Sequence, residues 1–308
     1  MSDPLRVGVV GTGSLGRHHV RILSEMPEAE LVGIYDLRPE VATSLAEAHG
    51  TRAFADPEAL ALEVEAMVVA VPTVDHAAVA VPLLKRGIHA MVEKPIAPSL
   101  AEADRLIEAA EGRAVLAVGH VEFYNPAVQA LFDLGEQPRF IEAQRLGVFT
   151  RRSLDIDVIL DLMIHDLQIL HALDPSPVHE LRATGIPVLS PRIDIANARI
   201  ELDSGCVANI TASRVSLEKV RKLRLFGSAS YCSVDYQEQE IKRFRLAEGD
   251  GEPQILSDHP QVVRHEPLRA ELEAFVAACR GTGGRRWVNG AAGRRALDTA
   301  LSLVASIC

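Results

Sequence analysis

Leu5-Arg6-Val7-Gly8-Val9-Val10-Gly11-Thr12-Gly13-Ser14-Leu15-Gly16 is the stretch that decides the fold. Its first half reads as a short buried strand. Its second half is G-x-G-x-x-G, and Val20, Ile22 and Leu23 then mark the apolar side of a helix. Between strand and helix the three glycines have separate tasks. Gly11 allows the tight turn, Gly13 lets the backbone approach a pyrophosphate, and Gly16 lets helix and strand pack closely. The helix start then offers unpaired N–H groups to phosphate oxygens. Leu31-Val-Gly-Ile-Tyr35 reads as a second strand ending at Asp36, 20 residues beyond Gly16. At that interval an acidic side chain accepts hydrogen bonds from ribose hydroxyls and repels a 2′-phosphate. Gly11, Thr12, Gly13, Ser14, Leu15, Gly16 and Asp36 are therefore candidate cofactor residues for NAD, with NADP the alternative. A methyltransferase that holds an adenosine ribose would share this much.

Working outward, strand and helix patterns alternate. Residues 66–71 form a fully apolar strand, as expected in a parallel sheet covered on both faces. It runs into Val71, Pro72 and Thr73, and a helix follows through His76. Residues 90–92 form the next strand, with Glu93-Lys94-Pro95 at its carboxyl end, where open parallel sheets bind ligands. A further strand, 114–118, leads to Gly119-His120. The pattern then changes. Residues 139–147 read as a strand; residues 178–188, 192–202, 205–213, 219–227 and 229–247 then alternate like antiparallel strands, and helices are expected at Pro267–Cys279 and Gly290–Ile307. The reading is an α/β Rossmann domain, residues 1–121. An α+β domain with a large, mostly antiparallel open sheet follows, residues 122–308.

Asp157-Val-Ile-Leu-Asp161-Leu-Met-Ile-His165-Asp166-Leu-Gln168-Ile-Leu-His171 interrupts the strands with a mostly apolar helix. The 3.6-residue period puts Asp157, Asp161, His165 and Gln168 on one stripe, with His171 near its edge and Asp166 pointing away. A buried polar stripe is costly unless it is paired or faces a cavity. Asp161 and His165 stand at i and i+4, where a carboxylate orients an imidazole and steadies its cation. A core Asp–His hydrogen bond and a catalytic dyad both fit this helix taken alone.

The totals narrow the classes. With 308 residues, 48% hydrophobic content and a net charge of −10, the chain has material for two cores and no basic blocks for nucleic acid or anionic membrane. No apolar run reaches bilayer length and no signal peptide is read, so a cytoplasmic protein is expected. Cys206, Cys232, Cys279 and Cys308 are far apart, without metal spacing; free thiols and no metal are expected.

Gly11–Gly16 motif, Glu93-Lys94-Pro95 and Asp161-x-x-x-His165 together resemble the Gfo/Idh/MocA oxidoreductase family, over nearly the whole chain. The resemblance implies Lys94 as the active-site lysine, His165 as the proton-transferring residue and Asp161 as its partner. It implies that Val71, Pro72, Thr73 and His76, with Glu93 and Lys94, lie on the nicotinamide side. It also implies a homodimer or homotetramer built through the second-domain sheet. Met163 and Gln168 depart from the glycine and acid that many members carry there. A narrower resemblance, at Gly119-His120-Val-Glu-x-x-Asn125-Pro and around His165, is to members acting on a nucleotide-linked amino sugar of the UDP-N-acetylglucosamine kind. The substrate-binding candidates are then Lys94, Asn125, Arg151, Arg152, Asp161 and His165. The two arginines suit a diphosphate. Alternatives are an inositol or free-sugar dehydrogenase, and a non-catalytic NAD-binding regulator. Whether Lys94 or His165 is the base stays open.

Overall fold

The computed structural model describes residues 3–150, 156–247, 254–282, 284 and 286–307. The chain forms two compact units. One is Met1–Val121 with Leu268–Arg294; the other is Glu122–Pro267 with Arg295–Cys308. The stretch 268–294, expected in the second domain, thus belongs to the first. The physical reason is packing at an edge. Val118 donates its N–H to the Val288 carbonyl, and Asn289 bridges Ala117.

The elements follow in order as β1 (Leu5–Val10), α1 (Gly16–Glu25), β2 (Ala29–Tyr35), α2 (Pro39–His49), β3 (Arg52–Ala53), α3 (Pro57–Ala61), β4 (Ala66–Val69), α4 (His76–Lys85), β5 (His89–Glu93), α5 (Leu100–Ala110) and β6 (Leu116–Gly119). Among the described residues these strands make a six-stranded parallel sheet in the order β3-β2-β1-β4-β5-β6. The order reverses between β1 and β4, which opens the loop after β1 as a binding crevice. Every residue of β4 is buried, which explains its unbroken apolar run. Ser99 caps α5 by accepting the Glu102 N–H.

The remaining elements are α6 (Pro126–Asp133), β7 (Phe140–Leu146), α7 (Ile164–Leu173), β8 (Val178–Ile186), β9 (Ile195–Leu202), β10 (Val207–Ser213), β11 (Val220–Phe226), β12 (Ser230–Asp235), β13 (Glu240–Leu246), β14 (Ile255–Asp258), α8 (Pro267–Cys279) and α9 (Gly290–Ile307). Eight strands among the described residues run β14-β13-β12-β11-β7-β10-β9-β8. All pairs are antiparallel except β7 with β10. The expected strand at 229–247 is two strands, β12 and β13, because the chain turns back at Gln239, whose φ is +51°. Alternation holds: Ala196, Ala198, Ile200 and Leu202 face the core, joined there by Met163, Ile164 and Leu167, by Val128 and Leu131 of α6, and by Ala300 and Leu303 of α9.

Candidate active site

In the first unit the glycine loop is built as the motif requires. Gly11 has φ +86°, and a Cβ there would lie 2.7 Å from the Ala70 carbonyl. A Cβ on Gly16 would lie 1.8 Å from the Gly11 oxygen. Among the described residues a Cβ on Gly13 would meet only the Arg38 guanidinium, at 3.9 Å, so the backbone there is open to a ligand. Gly11, Gly13, Ser14, Leu15, Asp36, Val71 and Pro72 line one cleft of about 560 Å³. Thr12 stands behind it, with its N–H and hydroxyl both donating to Asp36 Oδ2, at 2.8 and 3.0 Å. The Arg38 N–H and Nε donate to Oδ1 at 3.0 and 3.1 Å. Burial alone would raise the Asp36 pKa, but these bonds from Arg38 and Thr12 bring it down to about 2. A permanent carboxylate therefore stands at the end of β2, and open backbone stands at Gly13. Both fit the ribose and pyrophosphate of a nicotinamide dinucleotide.

Lys94 follows β5 directly, half-buried, with a cis peptide bond to Pro95. Glu93 is buried beneath it. His19 of α1 shares a 2.7 Å hydrogen bond with Glu93 Oε1, and the Lys94 N–H donates to Oε2 at 3.3 Å. Burial would raise the Glu93 carboxyl, yet His19 and the Lys94 cation hold it below the usual range. His120, at the end of β6, is fully buried; burial first, then the charge of Lys94, lowers it to about 3. It is a neutral imidazole at any working pH.

In the second unit the central helix departs from regular geometry. Ile159–Met163 is a single π-helical turn, and α7 continues from it. Asp161 lies in the π-turn, half-buried, and His165 in the first turn of α7, 8% exposed. Such turns insert one residue and re-aim the side chains around them. The helix start is clipped at both edges: Asp157 accepts the Ile193 N–H at 2.9 Å, and Val158 donates to the Ile193 carbonyl. Asp194 in turn accepts N–H bonds from Val188, Leu189 and Ser190, and Arg214 pairs with it at 2.7 Å. Burial opposes its ionisation, but these donors hold it far below the ordinary range. Asp166 points away from the stripe, as the period requires, but into protein instead of solvent. Arg145 of β7 grips it through two bonds of 2.8 Å and reaches Glu122 at 2.9 Å. Tyr236 donates its hydroxyl to Asp166 at 3.1 Å, and Arg221 joins at Glu122.

Three expectations change. Asn125 is not aimed at a ligand: its Oδ1 caps α6 by accepting the Ala127 N–H, and its Nδ2 donates to the Tyr236 carbonyl. An asparagine before proline at the first helical position is a cap before it is anything else. His76 is fully buried, its ring nitrogens facing the Val71 and Ile96 carbonyls at 3.1 and 3.2 Å. It braces the loops after β4 and β5, offers no surface to a cofactor, and burial lowers its pKa. Glu93 is likewise turned inward, to His19. Arg151 and Arg152 lie outside the described residues. Phe123 and Tyr124 are core residues, packed with Phe132. Sequence reasoning missed His19 and Arg145. A signal for Arg145 existed: it falls in step with the inward Ile141 and Ala143 of β7.

Comparison with known proteins bears on the family and the fold. The profile of the oxidoreductase family with an NAD-binding Rossmann fold matches residues 5–120. UDP-N-acetylglucosamine 3-dehydrogenase of Acidithiobacillus ferrooxidans is 38% identical over 306 residues, covering 97% of this chain and 96% of that protein. The structure of that enzyme superposes with a TM-score of 0.92 over 98% of this chain and 97% of that one, at 37% identity. Myo-inositol 2-dehydrogenase of Thermotoga maritima is 25% identical, over 95% of this chain and 93% of that protein. Levoglucosan dehydrogenase shares the fold, with a TM-score of 0.84 at 18% identity over 98% of this chain and 97% of that one. The chain belongs to the Gfo/Idh/MocA oxidoreductase family.

Proposed function

We propose that this oxidoreductase is an NAD-dependent dehydrogenase that oxidises a ring secondary hydroxyl of a nucleotide-linked amino sugar, of the UDP-N-acetylglucosamine kind, to a keto sugar. The observation that carries it is the end-to-end likeness to a UDP-N-acetylglucosamine 3-dehydrogenase, over 97% of this chain. Alcohol oxidation needs a hydride acceptor, a base and electrostatic support for the oxygen. Bound nicotinamide supplies the first. Gly13 and the Asp36 carboxylate hold the dinucleotide. His165 takes the hydroxyl proton, because an imidazole titrates near neutral pH, and Asp161 steadies the cation that forms. Lys94 holds the alkoxide-like oxygen. Arg151 and Arg152 clamp the diphosphate. The reaction then belongs in the cytoplasm, where nucleotide sugars are made.

A panel of substrates against both cofactors tests this reading through the absorbance of reduced nicotinamide. UDP-N-acetylglucosamine with NAD is expected to give the highest kcat/KM. Asp36→Ala is expected to relax the preference over NADP, since the carboxylate repels a 2′-phosphate. Arg38 already pairs with Asp36, so in that variant it is released towards such a phosphate. Arg151→Ala with Arg152→Ala is expected to raise the sugar KM and leave NAD affinity alone. Turnover of free inositol or glucose, with none of the nucleotide sugar, would contradict the substrate and keep the dehydrogenase.

We also propose that two copies pair through the outer face of the eight-stranded sheet. Phe140, Phe226, Tyr231 and Phe244 form a half-buried row across β7, β11, β12 and β13, with ring centroids 5.7, 4.9 and 6.0 Å apart. That face is more apolar than its Lys and Arg content suggests, and aromatic residues are enriched at interfaces. Light scattering is expected to report at least a dimer; a monomer at assay concentration would contradict it.

A further inference from the structure

α8 holds a buried carboxyl that the reaction above does not use. Glu271 is 1% exposed, and neither of its carboxyl oxygens has a hydrogen-bond partner among the described residues. The helix packs beside α1 in the first unit. Leu272, Phe275 and Val276 share a core with Val20, Ile22 and Leu23 of α1 and Met91 of β5, and Arg269 pairs with Glu25. A carboxylate left without partners in such a place is expensive, and a neutral acid far less so.

The charge that bears on Glu271 is that of Glu93. Glu93 has the donors that Glu271 lacks: the His19 ring at 2.7 Å and the Lys94 N–H at 3.3 Å, with the Lys94 cation adding its field. Its carboxylate is seated tightly, since a Cβ on Gly119 would come within 3.0 Å of Oε2. Two neighbouring buried carboxyls do not both ionise, and the proton goes to the one with fewer donors. Burial, reinforced by the charge of Glu93, pushes Glu271 well above the ordinary carboxyl range. Other titratable groups stand on the neighbouring elements of this unit. α1 contributes His19, β5 contributes Glu93 and leads to Lys94, and β6 leads to His120, on which Lys94 acts. Arg269 and Glu273 of α8 stand two residues from Glu271, on other faces of the helix.

We propose that Glu271 is a positioning residue for Lys94: it stays a neutral acid with its proton directed at Glu93, so that His19, Glu93 and Glu271 hold the carboxyl end of β5 as one buried unit. The unit joins the helix after the glycine loop, the strand that ends at Lys94, and α8. Ionised Glu271 would set a second negative charge beside Glu93 and displace it from His19. The proposal rests on the reading of Lys94 as an active-site residue.

Linkage gives the sign. The unfolded chain loses the Glu271 proton near the ordinary carboxyl value of 4.5, and the folded chain holds it to higher pH. Stability from this group is full below that pH. It then falls by about tenfold in the folding equilibrium per pH unit until the folded pKa is passed. Glu271→Gln keeps the shape and a neutral donor but cannot lose the proton. Its stability, read by denaturant unfolding at several pH values upward from the ordinary carboxyl value of 4.5, is expected to fall with pH less steeply than that of wild type, by about one proton until the folded pKa is passed. Infrared difference spectra are expected to show a protonated carboxyl band that the Gln variant lacks. Glu271→Leu is expected to lower kcat by about 10–100-fold with NAD affinity unchanged, and Glu271→Gln to restore it to within about threefold. A Gln variant with the wild-type pH slope would overturn the neutral acid. Wild-type kcat in the leucine variant would overturn the positioning role, and should that variant not fold, the Gln slope still decides. The stability arm needs no turnover. Full activity in Lys94→Ala would therefore remove the role of Lys94 without touching the slope.

Discussion

His165→Ala is expected to lower kcat by about 10²–10⁴-fold, the usual range for a general acid–base group, with NAD affinity close to wild type. Lys94→Ala is expected to fall in the same range for a different reason. In the proposed mechanism it removes the cation that holds the developing oxyanion, an interaction worth more in the transition state than in the ground state. Both should therefore lower kcat and kcat/KM together, with the sugar KM changing little. Asp161→Ala should follow His165→Ala, while Asp161→Asn keeps the shape without the charge and loses less. For the His165 and Asp161 variants NAD affinity is the internal control, because Gly13 and Asp36 belong to the other unit. Near-normal turnover in His165→Ala would remove it from proton transfer and leave Lys94 as the candidate base.

Arg145→Ala is expected to cost about 3–5 kcal/mol of stability, because it strands charges that are buried with it. Arg145 is 2% exposed, as is Asp166, and its guanidinium also lies 4.9 Å from the Tyr236 ring centroid. Burial weakens the Arg145 cation, but Asp166 and Glu122 outweigh it and raise its pKa further. Without Arg145, Asp166 keeps the Tyr236 hydroxyl and Glu122 keeps Arg221, too few donors for two buried carboxylates. Arg145→Met combined with Asp166→Leu removes both charges and should recover most of the loss, since apolar replacement of a buried pair is often neutral. Denaturant unfolding of the single and double variants measures the difference. A cost below about 1 kcal/mol for Arg145→Ala, as for a surface pair, would show that the cluster is solvated.

The contrast between these two cases shows where the sequence is legible. The helix that carries His165 and the strand that ends before Lys94 were read from the sequence because their context is local: a helix period, and a strand end followed by a loop. The Rossmann half was legible for the same reason. Strand, glycines, helix and Asp36 fall at intervals set by chain geometry, and parallel strands buried on both faces show as unbroken apolar runs. The alternating strands of the second half gave an open sheet with its inward face, since a period of two assigns each side chain a side.

Pairing over distance was decided by the tertiary structure alone. Nothing near Glu93 announces His19, 74 residues earlier, and nothing in α8 announces that it packs in the first unit. Arg145 was legible as inward, but its partners Asp166 and Glu122 lie 21 and 23 residues away. Asn125 had the composition of a ligand residue and became a cap, because the local backbone claimed its side chain first. The π-turn at Asp161 has no periodic signature, since one inserted residue breaks a period without replacing it. Local periodicity therefore determined the parallel sheet, the mostly antiparallel sheet, the glycine loop with Asp36, and the helix that carries His165. The folded packing decided which charges are buried together, because a side chain's electrostatic neighbours depend on distances in space that sequence separation does not encode.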